Sequence, residues 1–337
     1  MLLKFRLLVL AVFCVGLASS AFAQGLESLG SRAPALAAFV AVADDASAVA
    51  WNPAGMVLGP LFNISISLGR SSSVPDDPPL PDGRAARLGS TLVAVGAPPM
   101  GLSYYRLATT VIDGPAAAGG PRRQDGQVIV RTMVTSHLGA TILQSIGNFL
   151  TVGTTVKLVR GSVGVEAVSA DTWESAFDDA DTLMTESSTS GDVDIGVMAA
   201  AGRLRAGLVV RNVTEPEFED GLGGEVELKR HARVGAAWGN RWPGVSRTIV
   251  AIDADVTRVP HHNGERRDVA AGVEQWLMRQ QRLGLRAGLR ASTVGDTRTV
   301  VSGGASYAVR SGTFIDAYYA RGARDANAWG VAARLSY

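Results

Sequence analysis

Residues 283–290 read Leu-Gly-Leu-Arg-Ala-Gly-Leu-Arg, a strict alternation of aliphatic residues with glycine and arginine. Because successive side chains of a β-strand point to opposite faces, the three leucines would share one face and the two arginines the other. The first face suits lipid or a protein core, and the second suits water or a polar interior. This stretch therefore predicts a β-strand that lies between two different surroundings.

The same alternation recurs along the chain, for example at residues 62–69, 150–159, 204–211 and 250–256. Each run lasts for about ten residues, which is the length that a tilted membrane-spanning strand needs. The pattern predicts about fourteen strands, at residues 61–70, 88–97, 99–110, 127–143, 149–162, 191–201, 203–213, 227–239, 246–258, 267–278, 281–292, 299–310, 312–321 and 326–337.

Composition and loop lengths distinguish a membrane barrel from a soluble β-sandwich, which alternation alone would also fit. The chain has 39 glycines and 19% charged residues, and no run of about 18 apolar residues follows residue 23. The predicted connections alternate between long ones, at residues 71–87, 111–126, 163–190, 214–226 and 259–266, and short ones, such as Pro98, Gly202 and Gln280. Long external loops and short periplasmic turns are typical of bacterial barrels. We therefore predict an all-β fold, a transmembrane antiparallel barrel.

The N-terminal residues 1–23 have the pattern of a signal peptide. Lys4 and Arg6 supply the positive charge, residues 7–17 are apolar, and residues 21–23 are small before the predicted cleavage site. The single cysteine, Cys14, would be removed with this segment, so the mature chain would have no disulfide or thiol chemistry. The sequence thus predicts an exported protein.

The last strand carries a separate signal. Its apolar face consists of Trp329, Val331, Ala333, Leu335 and the terminal Tyr337. A C-terminal aromatic residue on an amphipathic strand resembles the recognition signal of the barrel assembly machinery, and we assign Trp329, Leu335 and Tyr337 to it. The alternative is a terminal tyrosine that ends an edge strand by chance. Together with the signal peptide, this strand predicts a bacterial outer-membrane location, with outer-membrane lipid and the assembly machinery as partners.

Residues 43–56 read Ala-Asp-Asp-Ala-Ser-Ala-Val-Ala-Trp-Asn-Pro-Ala-Gly-Met, after a small, apolar segment at residues 33–42. The sequence predicts a short helix followed by a forced turn. Asp44 and Asp45 can bound a helical turn, and proline disfavours helical geometry at the preceding Asn52. Gly55 allows the chain to turn back. An ordinary surface helix and turn would have the same pattern.

This stretch resembles the N-terminal hatch of FadL-type outer-membrane transporters. It resembles still more the ADD-x-SA-x-x-x-NPAG form found in the related PorV-type barrels. Short motifs at residues 192–196, 204–213, 272–274 and 285–288 extend the PorV-type resemblance. The resemblance implies a signal peptide at residues 1–23, a lumenal hatch or plug at 24–58 and a barrel at 59–337. The plug or gate residues would be Asp44, Asp45, Trp51, Asn52, Pro53 and Gly55.

Alternation also places charged residues on the predicted lumen face, namely Asp253, Asp255, Glu274, Arg282, Arg286 and Arg290. Opposite charges on adjacent strands attract, each pair contributing about 0.2–1 kcal/mol. One interpretation is a salt-bridged wall that holds the plug, and the other is a constriction that selects polar solutes. Few apolar residues other than Ile129, Met133 and Val209 face the predicted lumen, which argues against a fatty-acid conduit.

Other function classes lack support. A formal charge of +1, from 32 basic and 31 acidic residues, argues against nucleic-acid binding. The acidic segment 163–190 has no calcium-loop motif, and the histidines at 261 and 262 have no second ligand pair. His137 and His231 fall on the lumen face, but no nucleophile motif accompanies them. We expect no metal, no cofactor and no enzyme activity.

The resemblance to FadL-type proteins implies passive passage of small hydrophobic molecules through the outer membrane. The alternative is a non-transporting, PorV-like barrel that acts in protein secretion or as an envelope scaffold. The partner would be a small hydrophobic ligand in the first case and a secretion-system protein in the second. The charged lumen favours the alternative, whereas an apolar groove among the outer loops or a side opening in the wall would favour transport.

Overall fold

A computed structural model describes residues 25–74, 84–114, 127–170, 172–181, 183, 186–219, 224–239, 247–261, 264–277, 282–295, 298–323 and 326–337. The predicted signal peptide, Gln280, His262 and Asp171 of the acidic segment lie outside these ranges. Within them, no helix is both long enough and apolar enough to cross a membrane.

Fourteen antiparallel strands close into a barrel in which β1 pairs with β18, and four short strands form two hairpins in the connections. The strands are β1 (Asn63–Ser73), β2 (Arg84–Ala97), β3 (Met100–Asp113), β4 (Gln127–Ile146), β5 (Leu150–Ser169), β6 (Ser187–Ala201), β7 (Leu204–Arg211), β8 (Glu217–Glu219), β9 (Glu225–Glu227), β10 (His231–Gly239), β11 (Thr248–Asp255), β12 (Val259–His261), β13 (Gly264–Arg266), β14 (Asp268–Leu277), β15 (Leu283–Ser292), β16 (Thr299–Arg310), β17 (Thr313–Gly322) and β18 (Ala326–Ser336). The hairpins are β8–β9 and β12–β13. The predicted fourteen-stranded barrel is confirmed.

The outer face of the barrel carries an apolar band. Ile66, Leu138, Leu158, Leu285 and Leu289 are all exposed there, and they alternate with residues that are buried in the lumen. Closure pairs the backbone groups of every barrel strand with two neighbours, as a structure that crosses lipid requires. An even-stranded closed barrel with an apolar outer band is the outer-membrane type. The chain is therefore a transmembrane β-barrel of the outer membrane.

Several strands extend further beyond this band than predicted. β2, predicted to begin at residue 88, begins at Arg84, and β5, predicted to end at residue 162, continues to Ser169. The segment 163–190, predicted as a solvated loop, contributes to β5 and β6. It also contains a helix, α3 (Trp173–Asp181), which follows two helices described below. Trp173, Ala176, Phe177 and Ala180 of α3 pack on Ala85, Ile112, Val128 and Val130. The helical spacing of these four apolar residues was hidden by the many acidic residues around them.

Residues 25–58, which we call the hatch, fill the lumen. They form α1 (Arg32–Leu36), α2 (Ala48–Trp51) and two 3-10 helices, Gly25–Ser28 and Pro53–Leu58. The helix expected over residues 33–42 is shorter because Ala37 adopts a φ of 61° and ends α1. The backbone N–H groups of Phe39 and Val40 instead donate to Asp253 of the wall, at 2.6 and 3.0 Å.

Glycines of the wall make room for the hatch. A Cβ added at Gly272 would overlap the carbonyl oxygen of Leu36, and one added at Gly288 would lie 2.6 Å from the carbonyl carbon of the same residue. On the opposite side of the barrel, Gly153 has the same relationship with Pro53 and Ala54. Close approach of the hatch backbone thus explains these three glycines of the alternating strands.

Candidate gate and outer vestibule

The strongest contacts between hatch and wall are made by Arg32 of α1. Its Nε and Nη2 donate to the two carboxylate oxygens of Glu274 on β14, at 2.7 and 3.0 Å. Its Nη1 donates to Asp44 Oδ1 at 2.5 Å and to Asp45 Oδ2 at 3.3 Å. All four side chains are buried. A bidentate pair of this kind fixes position as well as charge.

Asp44 joins the hatch to β7 and to the residue that precedes β11. Its Oδ2 lies 2.8 Å from Arg247 Nη2 and 3.3 Å from Arg205 Nη1. Burial alone would raise the pKa of Asp44, but the charges of Arg32, Arg247 and Arg205 hold that pKa well below its usual value. Asp44 is therefore ionised throughout the physiological pH range.

Glu274 also accepts from Arg286 Nε at 2.7 Å and from Trp276 Nε1 at 2.9 Å. Asp45 accepts from the backbone N–H and the hydroxyl of Ser47, at 3.0 and 2.5 Å, and so fixes the turn before α2. We call the following group the latch: Arg32, Asp44, Asp45, Arg205, Arg247, Glu274 and Arg286. Three of these pairs join the hatch to the wall, namely Arg32–Glu274, Asp44–Arg205 and Asp44–Arg247, and the others lie within the hatch or within the wall.

The predicted bend at Asn52-Pro53 ties the hatch to itself and to β6. Asn52 Nδ2 donates to the carbonyls of Val40 and Val197, at 3.0 and 3.3 Å, and Oδ1 accepts from Ala54 N at 3.2 Å. Asn52 is extended, as expected before proline, and Pro53 begins the second 3-10 helix. A Cβ on Gly55 would overlap the carbonyl oxygen of Ala43, so glycine is required for this close approach.

Trp51 lies at the end of α2, against the wall. Its Nε1 donates to the Leu29 carbonyl at 3.1 Å, and its ring meets Phe39 edge to face at 5.8 Å. Arg211 of β7 places its guanidinium 4.9 Å from the Trp51 ring and donates to the Trp51 carbonyl at 3.1 Å. Trp51 is thereby held by both the hatch and the barrel.

Of the charges predicted to face the lumen, Asp253, Asp255, Glu274 and Arg286 are buried there. Asp255 accepts from His231 Nε2 at 2.7 Å and Arg233 Nε at 2.6 Å. Arg290 also faces inward, 3.5 Å from Asp268, but outside the latch.

Arg282 contradicts its prediction. It precedes β15, is exposed at the turn end of the barrel and donates to the Ala308 carbonyl at 3.5 Å. The predicted alternation was extended one residue beyond the strand, to the end of the barrel. Arg282 is therefore not among the charges buried in the lumen.

The residues predicted as an insertion signal lie on the last strand and its end. Trp329 is exposed on the lipid face, and Leu335 pairs with Ile64 of β1. Tyr337 is 69% exposed, and its backbone closes the barrel: Tyr337 N donates to Phe62 O at 2.8 Å, and Phe62 N donates to Tyr337 O at 3.1 Å.

A cavity of about 200 Å³ lies between the hatch and the outer part of the wall. Its floor comes from the hatch residues Ala33, Pro34, Ala37 and Trp51, and Glu27 and Ser28 also border it. Its walls include Ala86, Leu88, Val300, Ser302, Tyr318, Ala320 and Ala328, and its rim includes His261, Glu265, Arg266, Arg290 and Arg298. We call this cavity the outer vestibule.

The two lumenal histidines contact side chains of the wall. His137 stacks on Tyr105 at 4.2 Å, with Nε2 3.0 Å from Thr135 Oγ1, and His231 bonds Asp255. No group of three or more possible metal ligands occurs among the described residues.

Sequence reasoning missed several residues that hold the hatch, chiefly Arg32, Arg205, Arg247 and Glu27. Glu27 pairs with Arg266, and its carboxylate lies 3.8 Å from Arg233. The alternation of side chains along β7 predicts that Arg205 faces inward, but the sequence gives no sign that its partner is Asp44. Arg32 is the one charge in a small, apolar segment, and that isolation was the only signal.

Comparison with solved structures finds the same fold in several channels. The CymD monoaromatic hydrocarbon channel matches with a TM-score of 0.61 and 11% identity, over 94% of this chain and 99% of that one. A Pseudomonas aeruginosa FadL homologue matches at 0.61 and 12%, over 92% and 98%. The Ralstonia pickettii toluene transporter TbuX matches at 0.60 and 12%, over 94% and 100%.

Sequence comparison gives less. The family described as "F plasmid transfer operon, TraF, protein" matches residues 106–255, which is less than half of the 337 residues. No curated protein matches in sequence. The structural matches cover nearly the whole of both chains, and on that basis this chain has the FadL-type barrel fold.

Proposed function

We propose that this barrel lets small hydrophobic molecules pass through the outer membrane without an energy source. The observation that carries the proposal is the outer vestibule, a cavity with an apolar floor that lies directly on the hatch. In this scheme the vestibule receives the molecule and the hatch controls its passage into the lower lumen.

The size and lining of the vestibule suit a small ligand. An apolar cavity of about 150 Å³ inside a protein can hold benzene, and the vestibule has about 200 Å³. Alanine, proline and tryptophan side chains of the hatch form its floor, whereas charged groups such as Arg266 and Arg290 lie near its rim. A molecule the size of a single aromatic ring would fit, and a long acyl chain would have to extend beyond the cavity.

The structural relatives support the same class of ligand. CymD is described as a monoaromatic hydrocarbon channel, and TbuX and TodX are described as toluene transporters. At 10–13% identity these matches establish fold, so the ligand class is carried to this chain as a proposal.

The proposed route runs through the lumen and past the hatch. β3 pairs without interruption with β2 over residues 100–113 and with β4 over the same residues, so this part of the wall is continuous. In this scheme the molecule displaces part of the hatch. The latch sets the cost of that displacement, because its charges would lose their partners in a buried setting.

The test is toluene uptake by liposomes that contain the purified barrel. Ala320→Trp should fill the vestibule, since Ala320 lines it, and uptake should fall several-fold. Ala317→Trp is the matched control, because Ala317 lies on the same strand but faces outward and is exposed. Equal uptake by both variants and the wild type would contradict a route through the vestibule.

The alternative, a non-transporting barrel for secretion or envelope scaffolding, rests on the partial match to the TraF family and on the ion-paired lumen, and the matched hydrocarbon channels do not favour it. A wild-type barrel that gives no uptake, together with a deletion of residues 25–58 that merely adds an ion leak, would favour it. In that case the hatch would be a permanent stopper.

A further inference from the structure

Four arginines lie on the outward face of neighbouring strands. They are Arg70 on β1, Arg87 on β2, Arg106 on β3 and Arg160 on β5, and all four are exposed. Each occupies a position in the alternation that faces away from the lumen, like the apolar residues of the outer band. We call them the outer-wall arginines.

The strand register places two of these arginines directly above the apolar band. Val93, Tyr104, Leu138 and Leu158 are paired in one row across β2 to β5. Two residues further up each strand, the next outward-facing row reads Thr91, Arg106, Ser136, Arg160 and Thr189 across β2 to β6. The lipid-facing surface therefore changes abruptly from apolar to cationic and hydroxylated.

This change occurs on the side away from the short turns. Arg160 follows Leu150, the first residue of β5, by ten residues, which is the length of a strand that crosses the membrane at a tilt. Arg160 therefore lies at the outer interface. Arg106 follows Met100, the first residue of β3, by only six residues, so its backbone lies deeper in the apolar band. Its long side chain extends towards the same outer interface.

Much of the positive charge of the outer-wall arginines is not paired with a carboxylate of the described residues. Neither Arg70 nor Arg106 forms an ion pair or side-chain hydrogen bond with another described residue. Arg160 donates to the hydroxyl of Ser187, at 2.9 and 2.7 Å, and Arg87 stacks 4.0 Å above Phe177 of α3. Among the described residues of β1 to β5, Glu166 is the one carboxylate on the outward face, six residues above Arg160.

The spacing suits a ligand with two anionic groups. Arg106 and Arg160 both pair with Ser136, so two strand spacings, about 10 Å, separate their backbones. In the strand register, Ser136 of β4 lies between the two arginines. Guanidinium groups form paired, charge-assisted hydrogen bonds with phosphate, and the adjoining apolar row offers a surface for acyl chains.

We propose that the outer-wall arginines bind a phosphorylated glycolipid of the outer leaflet. Its two head-group phosphates would contact Arg106 and Arg160, Arg70 would add a third charge, and its acyl chains would lie along Tyr104, Leu138 and Leu158. α3 covers the wall above this site, so the head group would lie between the helix and the apolar band. The inference is independent of what passes through the lumen.

The experiment is native mass spectrometry of the full-length barrel in detergent with added diphosphoryl lipid A. A dephosphorylated lipid A with the same acyl chains is the matched ligand control. The wild type should retain the diphosphoryl form at least about tenfold better than the dephosphorylated form, equivalent to about 1.4 kcal/mol. The triple variant Arg70→Gln, Arg106→Gln, Arg160→Gln should lose this preference.

A second triple variant, Arg203→Gln, Arg282→Gln, Arg310→Gln, removes the same charge from exposed arginines at the turn end and should bind like the wild type. Heat-dependent mobility in gels verifies that each variant is folded. Equal wild-type retention of the two lipids would overturn the proposal even if a variant failed to fold. If both triple variants lost the preference for diphosphoryl lipid A equally, the preference would depend only on the net charge of the barrel. That result would also overturn the proposal.

Discussion

Arg32 of the hatch and Glu274 of β14 form a two-point ion pair across 242 residues of sequence, with N···O distances of 2.7 and 3.0 Å. Both side chains are buried. Removing one partner of a buried pair costs about 3–5 kcal/mol, because the other charge is left uncompensated. We therefore expect Arg32→Met to loosen the hatch and raise ion leakage through the barrel in planar bilayers.

Arg131→Met is the matched control for that substitution. Arg131 forms a 2.5 Å ion pair with Asp113 in the outer part of the wall, remote from the latch. The conductance of the Arg131→Met barrel should equal that of the wild type. If Arg32→Met leaked no more than this control, the latch would not be what holds the hatch.

Gly272→Ala should disturb the hatch without adding charge or polarity. The new Cβ would overlap the Leu36 carbonyl oxygen, so α1 would have to move. We expect a lower unfolding temperature and faster proteolysis within residues 25–58. Gly303→Ala on β16 is the control, since its nearest neighbour would be the Arg286 carbonyl oxygen at 3.7 Å, an ordinary contact. Equal behaviour of the two variants would show that the wall tolerates a side chain beside the hatch.

Deletion of Tyr337 should reduce the amount of assembled barrel. The deletion removes two backbone hydrogen bonds to Phe62 at the closing seam, together with the predicted insertion signal. Tyr337→Phe keeps the backbone and the aromatic ring and should assemble normally. The measurement is the fraction of heat-modifiable barrel in isolated outer membranes. Normal levels after the deletion would argue against a role for the terminal residue in insertion.

The ion pairs of Glu27 should make the stability of the hatch depend on pH in the acidic range. Burial opposes its ionisation, but the charges of Arg266, Arg290 and Arg233 lower the pKa of Glu27 from 4.5 to about 2. Because the pKa is lowered, the stabilisation is complete above about pH 4.5 and is lost as the pH falls towards 2. It amounts to about 3 kcal/mol at neutral pH.

Glu27→Gln should therefore unfold at a lower temperature than the wild type at pH 7, and the difference should shrink below pH 4.5. Glu166→Gln, at an exposed carboxyl of β5, is the control and should show little difference at any pH. A pH-independent difference for Glu27→Gln would mean that shape rather than charge holds Glu27 in place.

The barrel could be predicted because its main signal is local. Alternation is visible in any ten residues, so the number and order of the barrel strands followed from the sequence. The outer extension of β5, from residue 163 to Ser169, was missed because its alternation of apolar and polar residues weakens there. α3 was missed because acidic residues surround its four apolar positions.

The site could be predicted only in part. Asn52, Pro53 and Gly55 carry a local turn signal, and their neighbours in the structure are consistent with that geometry. The contacts of Arg32 and Asp44 with the wall join residues more than 100 positions apart, such as Asp44 with Arg205 and Arg247. A single sequence contains no signal for such pairs.

The glycine-lined fit between wall and hatch also constrains the order of assembly. The hatch precedes β1 in the chain, yet its backbone lies against β5, β14 and β15, and the ring is sealed only when β18 meets β1. Gaps that admit no Cβ leave no clearance for threading a folded segment into a finished cylinder. The N-terminal segment therefore completes its folding inside the barrel, against the wall strands that receive it.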